Sequence, residues 1–436
     1  MQKFSLYLAT AVLTGIAPVA AFAHSYGPPP RVTGGTGDNA RACTSCHAGG
    51  ALNSGAGNVQ VLLQGGAFYI PGVKQRITVQ VADPNQQRWG FELSARLNSD
   101  LEKGQAGDFN PVDNQTQVIC EDNSPKPCAT GVLFVTHTAA GTRNGQKGGA
   151  TFQFDWMPPS TNAGPVTLYV AGNAANGNGQ NTGDLIYTSS VQLAPIVASA
   201  PTTAAGSVVS SATAVAGPVN ANHWVTIFGT NLSATTRAWT AGDFIDGGIP
   251  FSLDGVSVLL NQFGAPRLAY VGYVSPTQVN FLVPSDLTNT ATTVQVKNPA
   301  GITTAIPLPV AANAPQLFTA DGKAALGTHS NGALITKSAP AVPGEAITIY
   351  ATGCGPTNPA LIVGQVPTDA NPLAAAPQVT IGGLPATVTF GGVVPGTAGV
   401  YQINVQVPSG ATNGDLPLVI QAGTVTSSSA TLAVQK

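Results

Sequence analysis

Charge is scarce in this chain. Only 8% of its 436 residues are Asp, Glu, Lys or Arg, and the net charge is −2. No basic patch or charge run is present to attract nucleic acid or an anionic membrane surface. Long apolar runs are missing too, with one exception at the start. Phe4 to Val19 is almost wholly apolar, follows Lys3, and leads into the small-x-small triplet Ala21-Phe22-Ala23. That is the form of a secretory signal, so residues 1–23 are expected to be cleaved. The mature chain would then begin at His24, lie in the periplasm or at the cell surface, and carry no transmembrane anchor. Stretches of 3.6-residue periodicity are also lacking. Short alternating runs such as "QRITVQVAD", "TFQFDW", "VTLYVAG" and "YQINVQVP" stand between turns rich in the chain's 51 Gly and 34 Pro. Period-2 alternation broken by turn residues reads as strands, and the fold class is all-β, built of sandwiches. Neither a nucleophile elbow nor an acid/base constellation is visible, which argues against a hydrolase.

Cysteine and methionine are as sparse, with five and two residues. It is therefore notable that "GDNARACTSCHAGG" (37–50) places Cys43, Cys46 and His47 within five positions. A C-x-x-C-H run in an exported chain reads as a c-type haem attachment site. The two thiols form thioethers with the two vinyl groups of one haem, and the adjacent imidazole binds the iron from the proximal side. Glycines on both sides, in "TGGTGD" and "AGG", allow a planar ligand to approach closely. A zinc site would need further soft ligands, and no second C-x-x-C or H-x3-H is present. A thioredoxin-like pair expects a βαβ setting. A plain Cys43–Cys46 disulfide stays open to an exported pair. Cys120 and Cys128 bracket the polar loop "EDNSPKP" and are expected to form a structural disulfide worth roughly 2–3 kcal/mol. Cys354 is left over and reads as a small buried hydrophobe.

The C-terminal half repeats. "WVTIFGTNL" (224–232) recurs as "AITIYATGC" (346–354), and "PTQVNFLVPS" (276–285) recurs as "VYQINVQVPS" (400–409). Two similar β units therefore lie in tandem. The expected domains are 24–195, a linker at 196–220 holding at most one edge strand, 221–312 and 313–436. These repeats resemble the C-terminal module of large secreted acidobacterial proteins, related to immunoglobulin-like IPT/TIG domains. The resemblance implies spacing, display or binding of a surface protein or glycan, and His223, Trp224, Trp239 and His329 read as ordinary sandwich residues.

In the N-terminal part, "YGPPPRVTGGTGDNARACTSCHAGG", "FVTHTAAG", "FQFDWMPP" and "VAGNAANGNGQNTGDLIYTSS" resemble the bacterial choice-of-anchor V domain, a relative of the eukaryotic reeler domain. The resemblance implies an immunoglobulin-like sandwich on a secreted protein, and with the repeats it makes three such domains in tandem. In that family the C-x-x-C-H run recurs, whereas reeler domains lack it.

One haem c leaves a second axial position to fill. His137, beside Phe134 and Val135 in "FVTHT", is the leading candidate; Met157 and His24 follow. As a terminal residue His24 could also form a copper brace. The Asn- and Gly-rich segment 171–187 has one charged residue, Asp184, too little carboxylate for an ordinary calcium site, so it reads as a structured loop. The expected function is one-electron transfer by an exported monohaem c-type cytochrome-like protein, with an unidentified redox partner. The competing expectation is an adhesive or structural surface protein in which any haem is only a staple.

Overall fold

A computed structural model describes residues 24–244, 247–290 and 292–436; the signal reading at 1–23 lies outside them. Among the described residues the helical segments are four 3-10 turns of three residues each, and the rest of the regular structure is strand. None of these residues forms a helix long and apolar enough to cross a membrane. The chain is all-β.

Eleven strands fall in the N-terminal part: β1 (Asn58–Leu63), β2 (Phe68–Tyr69), β3 (Gln75–Asp83), β4 (Arg88–Leu97), β5 (Asp100–Gln105), β6 (Asp108–Pro111), β7 (Thr116–Ile119), β8 (Phe134–His137), β9 (Gly148–Met157), β10 (Val166–Ala175) and β11 (Leu185–Pro195). One sheet has the order β1-β3-β9-β6. The other runs β2-β11-β10-β4-β8-β7, with β5 added to β4. The alternation in "QRITVQVAD" coincides with β3, whose residues 77, 79, 81 and 83 are buried while those between are less so. Aromatic rings from both sheets close the core: Phe91 of β4 lies 4.5 Å from Phe152 of β9, and Phe109 of β6 meets Phe154 edge-on at 5.7 Å. Two sheets sharing one core make a β-sandwich.

β4 is the least expected strand, because it is buried on both faces despite Glu92, Ser94 and Arg96. A polar network makes this tolerable. Arg96 donates to Asp38 Oδ1 at 2.7 Å, Thr33 Oγ1 to Asp38 Oδ2 at 2.5 Å, and the Val32 N–H to Glu92 Oε1 at 2.7 Å. Buried charges are stable only when paired or bonded in this way. The network fastens residues 31–38 to β4 and so fixes the segment that leads into Cys43. Burial pushes the Glu92 carboxyl well above the usual carboxylate range.

Cys120 and Cys128 are joined as a disulfide. The segment 196–220, expected as a linker, supplies a strand, Thr202–Ser210, antiparallel to Trp224–Thr230. The first repeat is a sandwich. Val225 and Ile227 from one sheet pack with Val258, Leu260 and Val294 from the other. In the second repeat the two layers belong to one continuous sheet, because Leu384–Val393 pairs Gln378–Ile381 along one part and Tyr401–Gln406 along the other. By contacts the chain divides into two compact units. Of the described residues, one holds those up to Leu62, Ile77–Phe154 and Val166–Val191; the second holds those of Leu63–Arg76, Asp155–Pro165 and Gln192–Lys436. The repeats share a unit because they are stitched together. The Trp224 indole N–H donates to the Ala398 carbonyl at 2.7 Å and its backbone N–H to Thr352 Oγ1 at 3.0 Å.

Candidate functional site

The site belongs to the first unit. Cys43–Ser45 forms a 3-10 turn in which the N–H groups of Cys46 and His47 both donate to the Cys43 carbonyl, at 3.1 and 2.9 Å. The turn presents Cys43, Cys46 and His47 to one cleft of about 720 Å³, counting its open mouth. Both thiols are free, so the Cys43–Cys46 disulfide is not formed. Cys43 is 8% exposed and packs with Val32, Ala171 and Ile186. Burial, reinforced by Glu92, pushes its thiol up to about 12, so in the folded chain it is a neutral thiol.

His47 is held from outside its own segment. Its Nδ1 lies 2.6 Å from Asp184 Oδ2, and Asp184 is 1% exposed. An ionised carboxylate only accepts, so the ring proton belongs on Nδ1 and the Nε2 lone pair faces the Asn173 side-chain amide donor at 3.3 Å. The loop that delivers Asp184 is the Asn- and Gly-rich stretch. Asx turns order it, with the Asn178 N–H on Asn176 Oδ1 at 3.0 Å and the Gln180 N–H on Asn178 Oδ1 at 2.8 Å. It is bound to the C-x-x-C-H turn by Ala48 N–H to Asn181 O at 2.7 Å, Gly183 N–H to Ala48 O at 2.6 Å, and Asn181 Nδ2 to Cys46 O at 2.7 Å. A side chain at Gly49 would overlap the Asp184 backbone, which is why glycine stands there.

His137, at the end of β8, lines the same cleft. The β4–β8 pairing stops at Glu92 and Thr136, and beyond it the Phe91 N–H donates to His137 Nδ1 at 3.1 Å. Burial, the largest influence, brings the ring down to about 4, so it is neutral at ordinary pH. Its face lies on Gly90, where a Cβ would come within 2.6 Å of Cε1. His24 also lines the cleft, whereas Met157 projects from β9 at 37% exposure and does not. Apolar walls come from Val32, Ala42, Trp89, Phe91 and Ala175, and Arg88 is the one Lys or Arg among the lining residues. Asn173 places Nδ2 3.3 Å from both His47 ring nitrogens, and its buried Oδ1 has no hydrogen-bond partner.

Sequence reasoning named the two cysteines and the histidines but missed Asp184 as the partner of His47. The available signal was that Asp184 is the single carboxylate of its loop. The remaining histidines sit elsewhere. His223 is fully buried with Nε2 3.0 Å from Ser210 Oγ, and His329 pairs with Glu345 at 2.6 Å. Cys354 is buried among the apolar residues of the second repeat. No group of three or more His, Cys, Asp or Glu suited to a bare metal ion occurs among the described residues.

No protein-family model and no curated protein matches the chain. Among solved structures, it is similar to a cohesin module from a Clostridium perfringens family 33 glycoside hydrolase, at 12% identity over 33% of this chain and 99% of that one, with a TM-score of 0.24. A DUF4466 family protein from Parabacteroides merdae matches at 12% identity over 52% of this chain and 97% of that one, with a TM-score of 0.20. A Salmonella alpha-2-macroglobulin matches at 10% identity over 83% of this chain and 21% of that one, with a TM-score of 0.18. Likeness at these scores carries no argument, so the family resemblances rest on the quoted motifs alone.

Proposed function

We propose that the chain is an exported monohaem c-type cytochrome-like protein that transfers single electrons outside the cytoplasm, with its repeats serving display or docking. The observation that carries this reading is the convergence on one cleft of two unlinked thiols, a carboxylate-oriented imidazole and apolar walls. These residues fit a covalently attached haem. Cys43 and Cys46 would form the thioethers and His47 Nε2 would bind the iron. Arg88 would offset the negative charge of the propionates, and the Asn173 amide would yield its place at His47 Nε2 to the iron. Bound in this way, the group supplies a one-electron couple whose potential is set by its ligands and surroundings.

The protein's own part is to hold and orient. The 3-10 turn fixes the spacing of the thiols, Asp184 fixes the tautomer of His47, and Trp89 and Phe91 exclude water. His137 is the candidate for the second axial position. To serve there through Nε2 it would carry its proton on Nδ1, giving up the bond from the Phe91 N–H and turning to the Phe91 carbonyl, 3.4 Å away.

The test is expression in a host that carries c-type maturation machinery, followed by a haem stain of the denatured chain. Stain that survives denaturation in the wild type and disappears in Cys43→Ala/Cys46→Ala is expected. An unstained wild type overturns the reading. Haem that is attached but exchanges no electrons with small external donors favours the adhesive or structural reading instead.

A further inference from the structure

Asp184 stands out because nothing on the protein surface requires it. A carboxylate with 1% exposure is costly to bury, and the side chain that meets it here is the His47 ring. The pair is built rather than incidental. Asp184 Oδ1 accepts the Asn176 N–H at 3.2 Å, which aims Oδ2 at the ring. The flanking residues Asn181 and Gly183 bond to the segment that carries His47. Arg88, the cation of the cleft, donates to Ser25 Oγ at 2.8 Å, whereas the Asp184 carboxylate faces the imidazole.

We propose, resting on the haem reading above, that Asp184 is a positioning residue that makes His47 a strongly electron-donating ligand, holding the iron preferentially in its ferric state and setting a low reduction potential. The reasoning is electrostatic. A neutral backbone carbonyl opposite Nδ1–H would polarise the ring only weakly. A buried carboxylate at 2.6 Å pulls on the Nδ1 proton and pushes electron density toward Nε2, strengthening its donation to a bound metal. The ferric ion carries one more positive charge than the ferrous ion and is therefore stabilised more. The electron leaves readily, so the protein suits donation to an acceptor of higher potential.

Asp184→Asn removes the charge but leaves one acceptor oxygen for two donors, the Asn176 N–H and His47 Nδ1–H, so Asp184→Glu, which keeps both oxygens, is the control that separates charge from a lost hydrogen bond. Both proteins, matured with haem, are titrated spectroelectrochemically. A more negative midpoint in the wild type than in Asp184→Asn is expected, with Asp184→Glu closer to the wild type. Equal midpoints in haem-bearing wild type and Asp184→Asn overturn the inference and leave the haem reading intact. A wild type that takes up no haem overturns the haem reading itself. Should Asp184→Asn fail to mature, 15N and 1H NMR of the His47 ring in the wild type without haem decides. A strongly deshielded proton on Nδ1 supports the pull of the carboxylate on it, and an ordinary imidazole shift or a proton on Nε2 refutes it.

Discussion

At the scale of single residues, the site mixes what local spacing shows with what only the fold brings together. Cys43, Cys46 and His47 are neighbours in sequence, so their joint chemistry could be read directly. Asp184 reaches His47 from 137 residues away, and the Phe91 N–H reaches His137 across 46. No periodicity or spacing encodes either contact. His137 was found by elimination among few histidines, and the structure adds that its ring already satisfies backbone groups. If it does move to iron, the wild type is six-coordinate and low-spin. His137→Ala then keeps the haem covalently but turns the spectrum high-spin and admits carbon monoxide. Gly90→Ala, which drives a methyl into the ring, shifts the spectrum the same way. A wild type already high-spin, or a low-spin spectrum untouched by His137→Ala, assigns His137 to capping the strand end. The thiols differ in access as well. In folded protein without haem, a maleimide should label Cys46 well before Cys43 or Cys354, both of which burial pushes up to about 12. Equal labelling rates under native conditions would contradict the burial of Cys43.

At the scale of elements, alternation was a reliable guide where one face of a strand is buried and a poor one where both are. β3 shows the first case, and the sequence run matches its ends. β4 shows the second. Its Glu92, Ser94 and Arg96 look like a solvent face in sequence, yet they are buried because Asp38, from a separate loop, neutralises Arg96. The strand at Thr202–Ser210 is the one edge strand that segment 196–220 was expected to hold, although of its small residues only Val208, Val209 and Ser210 are buried. The Cys120–Cys128 bridge closes a short loop after β7. Replacing both cysteines by serine should cost about 2–3 kcal/mol, read as a lower thermal midpoint of the first unit; an unchanged midpoint would contradict a stabilising role.

His223, one residue before the strand Trp224–Thr230, gives an element-scale pH prediction. Burial brings it down to about 4, against 6.5 for an unperturbed ring. Between those values the unfolded chain binds a proton that the folded chain refuses. Stability is therefore complete above pH 6.5 and falls as pH drops toward 4, by about 3 kcal/mol for this group. His137 acts in the same sense. Denaturant unfolding at pH 7 and pH 4.5 should show a smaller loss in His223→Gln than in the wild type. Equal losses would mean that His223 is not held neutral.

At the scale of the whole molecule, the tandem repeat was legible because strand sequences recur, but the sharing of one compact unit was not. It depends on single side chains such as Trp224, whose partners at Thr352 and Ala398 lie in the other repeat. Among the described residues the candidate chemistry gathers at one end of one sandwich, and the remainder is β structure without a comparable cluster. The central claim is that Cys43 and Cys46 carry a haem, and the intact mass of chain matured in a competent host tests it most directly. The account predicts the mass of the mature chain plus one haem, lost in Cys43→Ala/Cys46→Ala. An unmodified mass from the same host would contradict it.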